Sequence, residues 1–158
     1  MGIAPTWQLS LSCDSIDSAG TCTFSVSRST TSGSYEINYA GAVVLTASLE
    51  APSINITAVS LDMQGSSKLD VSARGFAQLS GTGSGAEPSD GTGGGSGGGH
   101  GGTGGTGHGG NAGGIAYGVI EQPVTAGSGG GRARYANGHF RDGGTGGGTV
   151  RIDVSGTL

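Results

Sequence analysis

The chain has 158 residues, a net charge of −4, 37 glycines and an apolar fraction of 33%. That length describes one domain or one layered unit, and an apolar share below the usual ~45–50% excludes a conventional thick core. The acidic balance, with scattered basic residues, also excludes a phosphate-neutralising stripe, so nucleic acid is not an expected partner.

From Trp7 to Ala77 the apolar period is two. Trp7, Leu9 and Leu11 alternate with polar residues, as do Phe24 and Val26, then Tyr35, Ile37 and Tyr39. Val43, Leu45, Ala47 and Leu49 share a face, followed by Ile54 with Ile56, Val59 with Leu61, and Leu69, Val71 and Ala73. Strands so short and closely spaced predict an all-β fold without α-helix, with residues 1–77 coiled as a parallel β-helix or solenoid. Asn55, Ser60, Lys68, Asp70 and Ser72 then face solvent. A β-sandwich is the rival, but it calls for longer strands and more aromatic residues than the 5% present.

Cys13 and Cys22 flank eight residues that include Gly20, a polar stretch able to turn a hairpin and allow one local disulfide. Asn55-Ile56-Thr57 is the only glycosylation sequon. With no CxxC or Cys/His ligand spacing, these features predict an extracellular or cell-surface location. No apolar run approaches the ~20 residues that span a bilayer, and Met1 to Thr6 does not read as a signal peptide. MGIAPT formally fits the myristoylation pattern, which conflicts with the extracellular signs.

Residues 78–148 form a glycine-rich region. Glycine returns at every third position through Gly95, Gly98, Gly101, Gly104, Gly107, Gly110 and Gly113. In polyproline II geometry, with three residues per turn, these seven would line one bare packing face. His100, Thr103, Thr106 and Ala112 fall on a second face; Ser96, His108 and Asn111 fall on the third. The pattern predicts a polyglycine II helix bundle, with Gly98, Gly101 and Gly104 buried against another backbone and Gly101→Val disruptive. A disordered glycine-rich linker is the competing reading. Ile115, Tyr117 and Val119 alternate as a strand that would pin the end of the array. Glycine clusters at 127–131 and 143–148 follow, and residues 149–158 return to strand grammar with Val150, Ile152 and Val154 on one side.

Catalytic and ligand motifs are not found. His100 and His108, eight apart, would stand about 25 Å apart in a straight segment rising ~3.1 Å per residue, too far to chelate one ion. Residues 143–148 hold glycine where a calcium β-roll needs aspartate. The only lysine, Lys68, lies outside the glycine region, so there is no phosphate loop. No strand-to-helix nucleophile elbow or spaced carboxylate pair is nominated. No metal, cofactor or enzymatic activity is expected. The one loop with binding chemistry is 132–142, where Arg132, Arg134, Tyr135, His139, Phe140 and Arg141 suit sugars, carboxylates or a protein interface. Its plainer reading has Tyr135 and Phe140 lidding the glycine bundle while the arginines pair with Asp142, Glu121 or carbonyls.

The succession SARGF, SGGGHGGTGG, GGIAYG, GSGGG and GGGTVRIDVSGTL, covering about Ser72 to Leu158, resembles the repeat unit of large, secreted, glycine-rich β-helical surface proteins of unicellular eukaryotes. More loosely, the array is similar to polyglycine II bundles of snow-flea-type antifreeze proteins, phage tail-tip adhesins and glycine-rich receptor-kinase ectodomains. It departs from the antifreeze pattern because His and Thr interrupt two faces. The expectation is a non-enzymatic extracellular structural protein that forms or decorates a self-assembling filament or surface appendage. Its partners would be itself or adjacent repeats, with glycans as further ligands. The alternative is an adhesin or receptor-type recognition module, with ice binding behind it.

Overall fold

A computed structural model describes residues 8–89, 91–108, 110–119 and 124–156. Trp7, Glu121 and the MGIAPT segment lie outside them. Among the described residues there is no helix. The strands are Gln8–Ser10 (β1), Ser15–Ile16 (β2), Cys22–Phe24 (β3), Arg28–Ser29 (β4), Ser34–Asn38 (β5), Ala42–Leu45 (β6) and Leu49–Glu50 (β7). Ser53–Ala58 (β8), Ser60–Met63 (β9), Leu69–Asp70 (β10), Ala133–Arg134 (β11), Phe140–Arg141 (β12) and Thr149–Val154 (β13) complete the chain. They belong to two compact units: Met1–Val71 with Val150–Leu158, and Ser72–Thr149.

The first unit has three small sheets, ordered β1-β5-β8-β13, β2-β3-β6-β9 and β4-β7-β10. After the hairpin of β2 and β3 the chain visits the sheets in rotation, and from β5 to β10 each new strand lies parallel to one laid down a circuit earlier. Because side chains alternate across a strand, parallel register stacks like on like. Leu9 stands beside Tyr35 and Tyr35 beside Ile54; Ile37 stands beside Ile56, Val43 beside Leu61, and Leu49 beside Leu69. Ile54, Ile56, Leu45, Leu49, Val43, Phe24 and Cys22 are fully buried by this stacking. Each large aliphatic side chain so buried contributes about 1.5–3 kcal/mol relative to exposure.

The period-two reading of the apolar residues fails at two corners. Val59, expected to share a face with Leu61, falls between β8 and β9 and is exposed, as is Val26 between β3 and β4. In both places the chain bends from one sheet to the next, which breaks the alternation. Of the expected return at 149–158, residues 149–154 form β13 at the edge of the first sheet, and residues 157–158 lie outside the described residues. The Ser155 and Gly156 amides donate to the Ala58 and Val59 carbonyls at 3.2 and 2.8 Å. That register sets Ile152 beside Ile56 and Val154 beside Ala58, both packed against the core.

The Cys13–Cys22 disulfide forms across the β2–β3 hairpin, with a Cα–Cα distance of 5.4 Å. Beside it, the Asp14 carboxylate accepts the Ser25 and Val26 amides at 2.7 and 3.0 Å and pairs with Arg28. The Arg28 guanidinium, aided by those amides, lowers the Asp14 carboxyl from 3.8 to about 2. A carboxyl lowered on folding stabilises the protein above its unfolded value, and that stabilisation is lost as pH falls through 3.8 towards about 2. Asp14→Asn should therefore be less stable than the parent at neutral pH. Urea unfolding should show the difference closing between about pH 4 and pH 2; a difference constant over that range would deny Asp14 this role.

Among the described residues of the second unit there is one strand pair, β11 with β12, antiparallel. Its other segments are extended and hydrogen-bonded in several directions at once. Ser96, Gly97 and Gly99 donate to Ala86, Gly105 and Gly83, while the Gly97 and Ser96 carbonyls accept Gly114 and Gly131. Residues 94–99 thus bond to 83–86, 104–107, 111–117 and 127–131. A flat strand reaches only two neighbours in its sheet. Residues 72–77, grouped from the sequence with the first strands, join this unit: Gly75 donates to Gly146 and Phe76 to Gly127.

Candidate functional site

Five of the seven glycines at every third position stand against backbone. A Cβ on Gly95 would meet Gly131, one on Gly104 would meet Gly97, and one on Gly113 would meet Gly104. On Gly98 and Gly107 it would lie 2.5 Å from the Ser128 oxygen and 2.6 Å from the Gly94 oxygen. Gly101 and Gly110 differ, with nothing within 4 Å.

The expectation that Gly101 is buried is therefore corrected. The array is not one straight helix: it reverses at 100–102, where the His100 amide donates to the Gly102 carbonyl, and it folds back again where the Gly107 amide donates to the Asn111 carbonyl and the Gly110 amide to the Gly107 carbonyl. Segments 94–99, 104–107 and 111–117 consequently hydrogen-bond to one another. A bare backbone has no side chains to hold a direction, and each reversal supplies more backbone bonds of about 0.5–1.5 kcal/mol net apiece. Glycines off the expected face are equally close-packed, among them Gly99 against Ile115 and Gly114 against Gly83.

Three polar side chains inside this unit do work that the sequence reading did not assign. Ser96 Oγ accepts the Ala86 amide, Asn111 Oδ1 accepts the Ser89 amide, and Ser128 Oγ accepts the Gly83 amide while donating to Tyr117 Oη. All three are buried. The signal available was an isolated hydrogen-bonding residue in a glycine run, since such a residue can satisfy an amide that no neighbouring carbonyl reaches. Ile115 to Val119, expected as a strand, is not one: Ile115 and Val119 are exposed, while the Tyr117 amide donates to the His100 carbonyl at 2.7 Å and its hydroxyl to the Ala126 carbonyl at 2.5 Å. His100 packs edge-on to Tyr117 at 4.9 Å, with Nε2 3.1 Å from Thr125 Oγ1. The straight-segment separation drawn for His100 and His108 does not apply, because the chain turns between them. Among the described residues no group of three His, Cys, Asp or Glu is placed to hold a metal ion.

The 132–142 loop is a two-stranded ribbon. Arg134 pairs with Phe140 and Ala133 with Arg141, and Tyr135 N donates to His139 O at 2.9 Å. Ala136, Asn137 and Gly138 turn the chain; Gly138 has φ +81°, the left-handed conformation that a three-residue hairpin loop requires at one position. The Arg134 amide and carbonyl exchange hydrogen bonds with Gly93, which fastens the ribbon along β11.

Paired residues of an antiparallel ribbon share a face and neighbours along a strand alternate, so the six candidate residues divide. Phe140, Arg132 and Arg134 occupy one face, the guanidinium carbons 4.1 and 5.5 Å from the ring centroid. Arg132 Nε also pairs with Glu87. Tyr135, His139 and Arg141 occupy the other face and are exposed. The lid reading is corrected for Tyr135, which is 51% exposed rather than seated on glycine; Asp142 accepts the Gln78 amide, Arg132 takes Glu87, and Glu121 lies outside the described residues.

Asn55 lies on the outward side of β8, beside Glu36, and is half-buried. A shallow groove in the first unit, between β5, β8 and β13, holds one carboxylate, Asp153, which Arg151 Nε engages at 2.8 Å. No helix among the described residues is long and apolar enough to cross a membrane. Comparison with protein-family models, curated proteins and solved structures returned no match.

Proposed function

We propose that the protein is a non-enzymatic, extracellular structural protein that forms or decorates a self-assembling filament or surface appendage. In this reading the three sheets visited in rotation are coils of a β-solenoid, and the second unit is a polyglycine II bundle. The observation that carries it is the bonding of residues 94–99 to four other segments at once, which three-residue-per-turn backbones permit and flat strands do not. A mass built in this way is held by backbone groups that any copy of the chain also presents.

The solenoid reading supports assembly as well. β1 and β13 stand at the ends of their sheet, and Leu9 on β1 is 44% exposed although its stacking partners Tyr35 and Ile54 are buried. Open strand ends of this kind pair with further strands unless something blocks them. Extracellular placement draws on the Cys13–Cys22 disulfide and on the outward-facing sequon at Asn55. The resemblance of GGGTVRIDVSGTL to β-helical surface proteins points the same way.

Sedimentation velocity and negative-stain microscopy of the purified protein should show concentration-dependent, elongated oligomers. A strictly monomeric species at high concentration would overturn the assembly reading.

A further inference from the structure

We propose that the Tyr135, His139 and Arg141 face of the β11–β12 ribbon binds an anionic saccharide, one carrying carboxylate or sulfate groups. The ribbon divides into two unlike faces. On the Phe140 face, Arg132 is committed to Glu87 and both Arg132 and Arg134 lie over the ring, so the two guanidinium groups of that face already have partners, while Phe140 itself is 41% exposed. On the opposite face, Tyr135 stands across from His139, and Arg141 lies two residues along from His139. The three side chains are exposed, and Arg141 has no carboxylate at ion-pair distance among the described residues.

An aromatic ring, an imidazole and a guanidinium fork on one rigid ribbon form a specific set. Diagonal neighbours on such a ribbon stand roughly 7–8 Å apart, about the width of one sugar ring. Tyr135 offers a flat apolar surface with a hydroxyl at its edge, which suits a pyranose face rather than an extended peptide. Arg141 offers the bidentate geometry that matches a carboxylate or sulfate. His139 adds a ring donor between them. The ribbon is held by the Gly93 bonds, the Arg132–Glu87 pair and the Gly138 turn, so little side-chain or loop ordering is needed on binding. An overall charge of −4 makes the local arginine the element that selects an anion, since the rest of the protein repels one. This chemistry does not depend on assembly.

The test is affinity electrophoresis of the full chain through gels containing polygalacturonate or dextran sulfate, with neutral dextran as reference. The expected result is retardation by one or both anionic polymers but not by dextran, weakening as salt rises. Retardation by polygalacturonate alone identifies a uronate ligand, and by dextran sulfate alone a sulfated one. Arg141→Ala should weaken binding about tenfold or more, the loss of one charge-assisted contact. Tyr135→Ala should weaken it severalfold, whereas Arg134→Ala, on the opposite face, should leave it unchanged. Because Tyr135 and Arg141 are exposed, their variants should melt with the parent. Equal losses in Arg134→Ala and Arg141→Ala, or retardation by none of the polymers, would overturn the site. Equal binding of poly-glutamate with no effect of Tyr135→Ala would overturn the saccharide assignment in favour of an acidic peptide.

Discussion

Gly104→Val should unfold the second unit or destabilise it by about 3 kcal/mol or more, the upper end of overpacking costs. A Cβ at Gly104 falls on the Gly97 oxygen and lies 3.0 Å from the Gly114 nitrogen, so the new side chain meets backbone on two sides. Neither neighbour can rotate out of the way as a side chain would. The same backbone carries the bonds Gly104 to Gly114 and Gly114 to Gly97, and moving it breaks them. Gly101→Val, three residues earlier in the same sequence pattern, should change stability by no more than about 0.5 kcal/mol, because nothing lies within 4 Å. Denaturant unfolding of the two variants gives the comparison. Equal losses would mean that the two glycines are packed alike, and equal tolerance would mean that the segments are not in contact at all.

Ile54→Ala should cost about 2–5 kcal/mol, the usual range for emptying a buried aliphatic site. Ile54 is 0% exposed, on β8 between β5 and β13, with Tyr35 beside it in register. The parallel stack gives its neighbours little freedom to collapse into the cavity, since each side chain is held by the one beside it. Leu9 belongs to the same column but stands at its end, and Leu9→Ala should cost only a few tenths of a kcal/mol in the isolated protein. Thermal melts of both variants would test the column. A Leu9 variant as damaged as Ile54→Ala would show that the end position is covered in solution.

Alternation of apolar residues marked several strands of the first unit, but the same signature at Ile115, Tyr117 and Val119 did not make one. Ile54 and Ile56, Val43 and Leu45, and Ile152 and Val154 all lie in strands and turn towards the core as their spacing indicates. The corners were not legible, because a residue such as Val59 carries the same apolar signature whether it faces the core or marks a change of sheet. Within the glycine array the period of three pointed correctly to backbone contact at Gly98 and Gly104 but said nothing of direction. Glycine has no side chain to distinguish a turn at 101 from a straight segment through it. The ribbon posed a different problem. Its composition marked 132–142 as chemically rich, yet only the pairing of Arg134 with Phe140 separates the residues that hold the ribbon from those left open. The partner of Arg132, Glu87, is distant in sequence, and no local pattern could have named it.

The return of β13 to the first unit has a bearing on how that unit closes. Until Thr149–Val154 arrives, β8 has an open side, and the intervening chain from Ser72 to Thr149 is a long loop whose closure entropy grows with the logarithm of its length. Inside the second unit, however, Gly75 and Gly146 are hydrogen-bonded to each other, so its two ends meet. Once that unit has folded, the Gly75–Gly146 bond shortens the effective loop between Ser72 and Thr149 to the few residues on either side of it. The glycine-rich unit acts as an entropic clasp, turning a long-range strand pairing into a nearly local one.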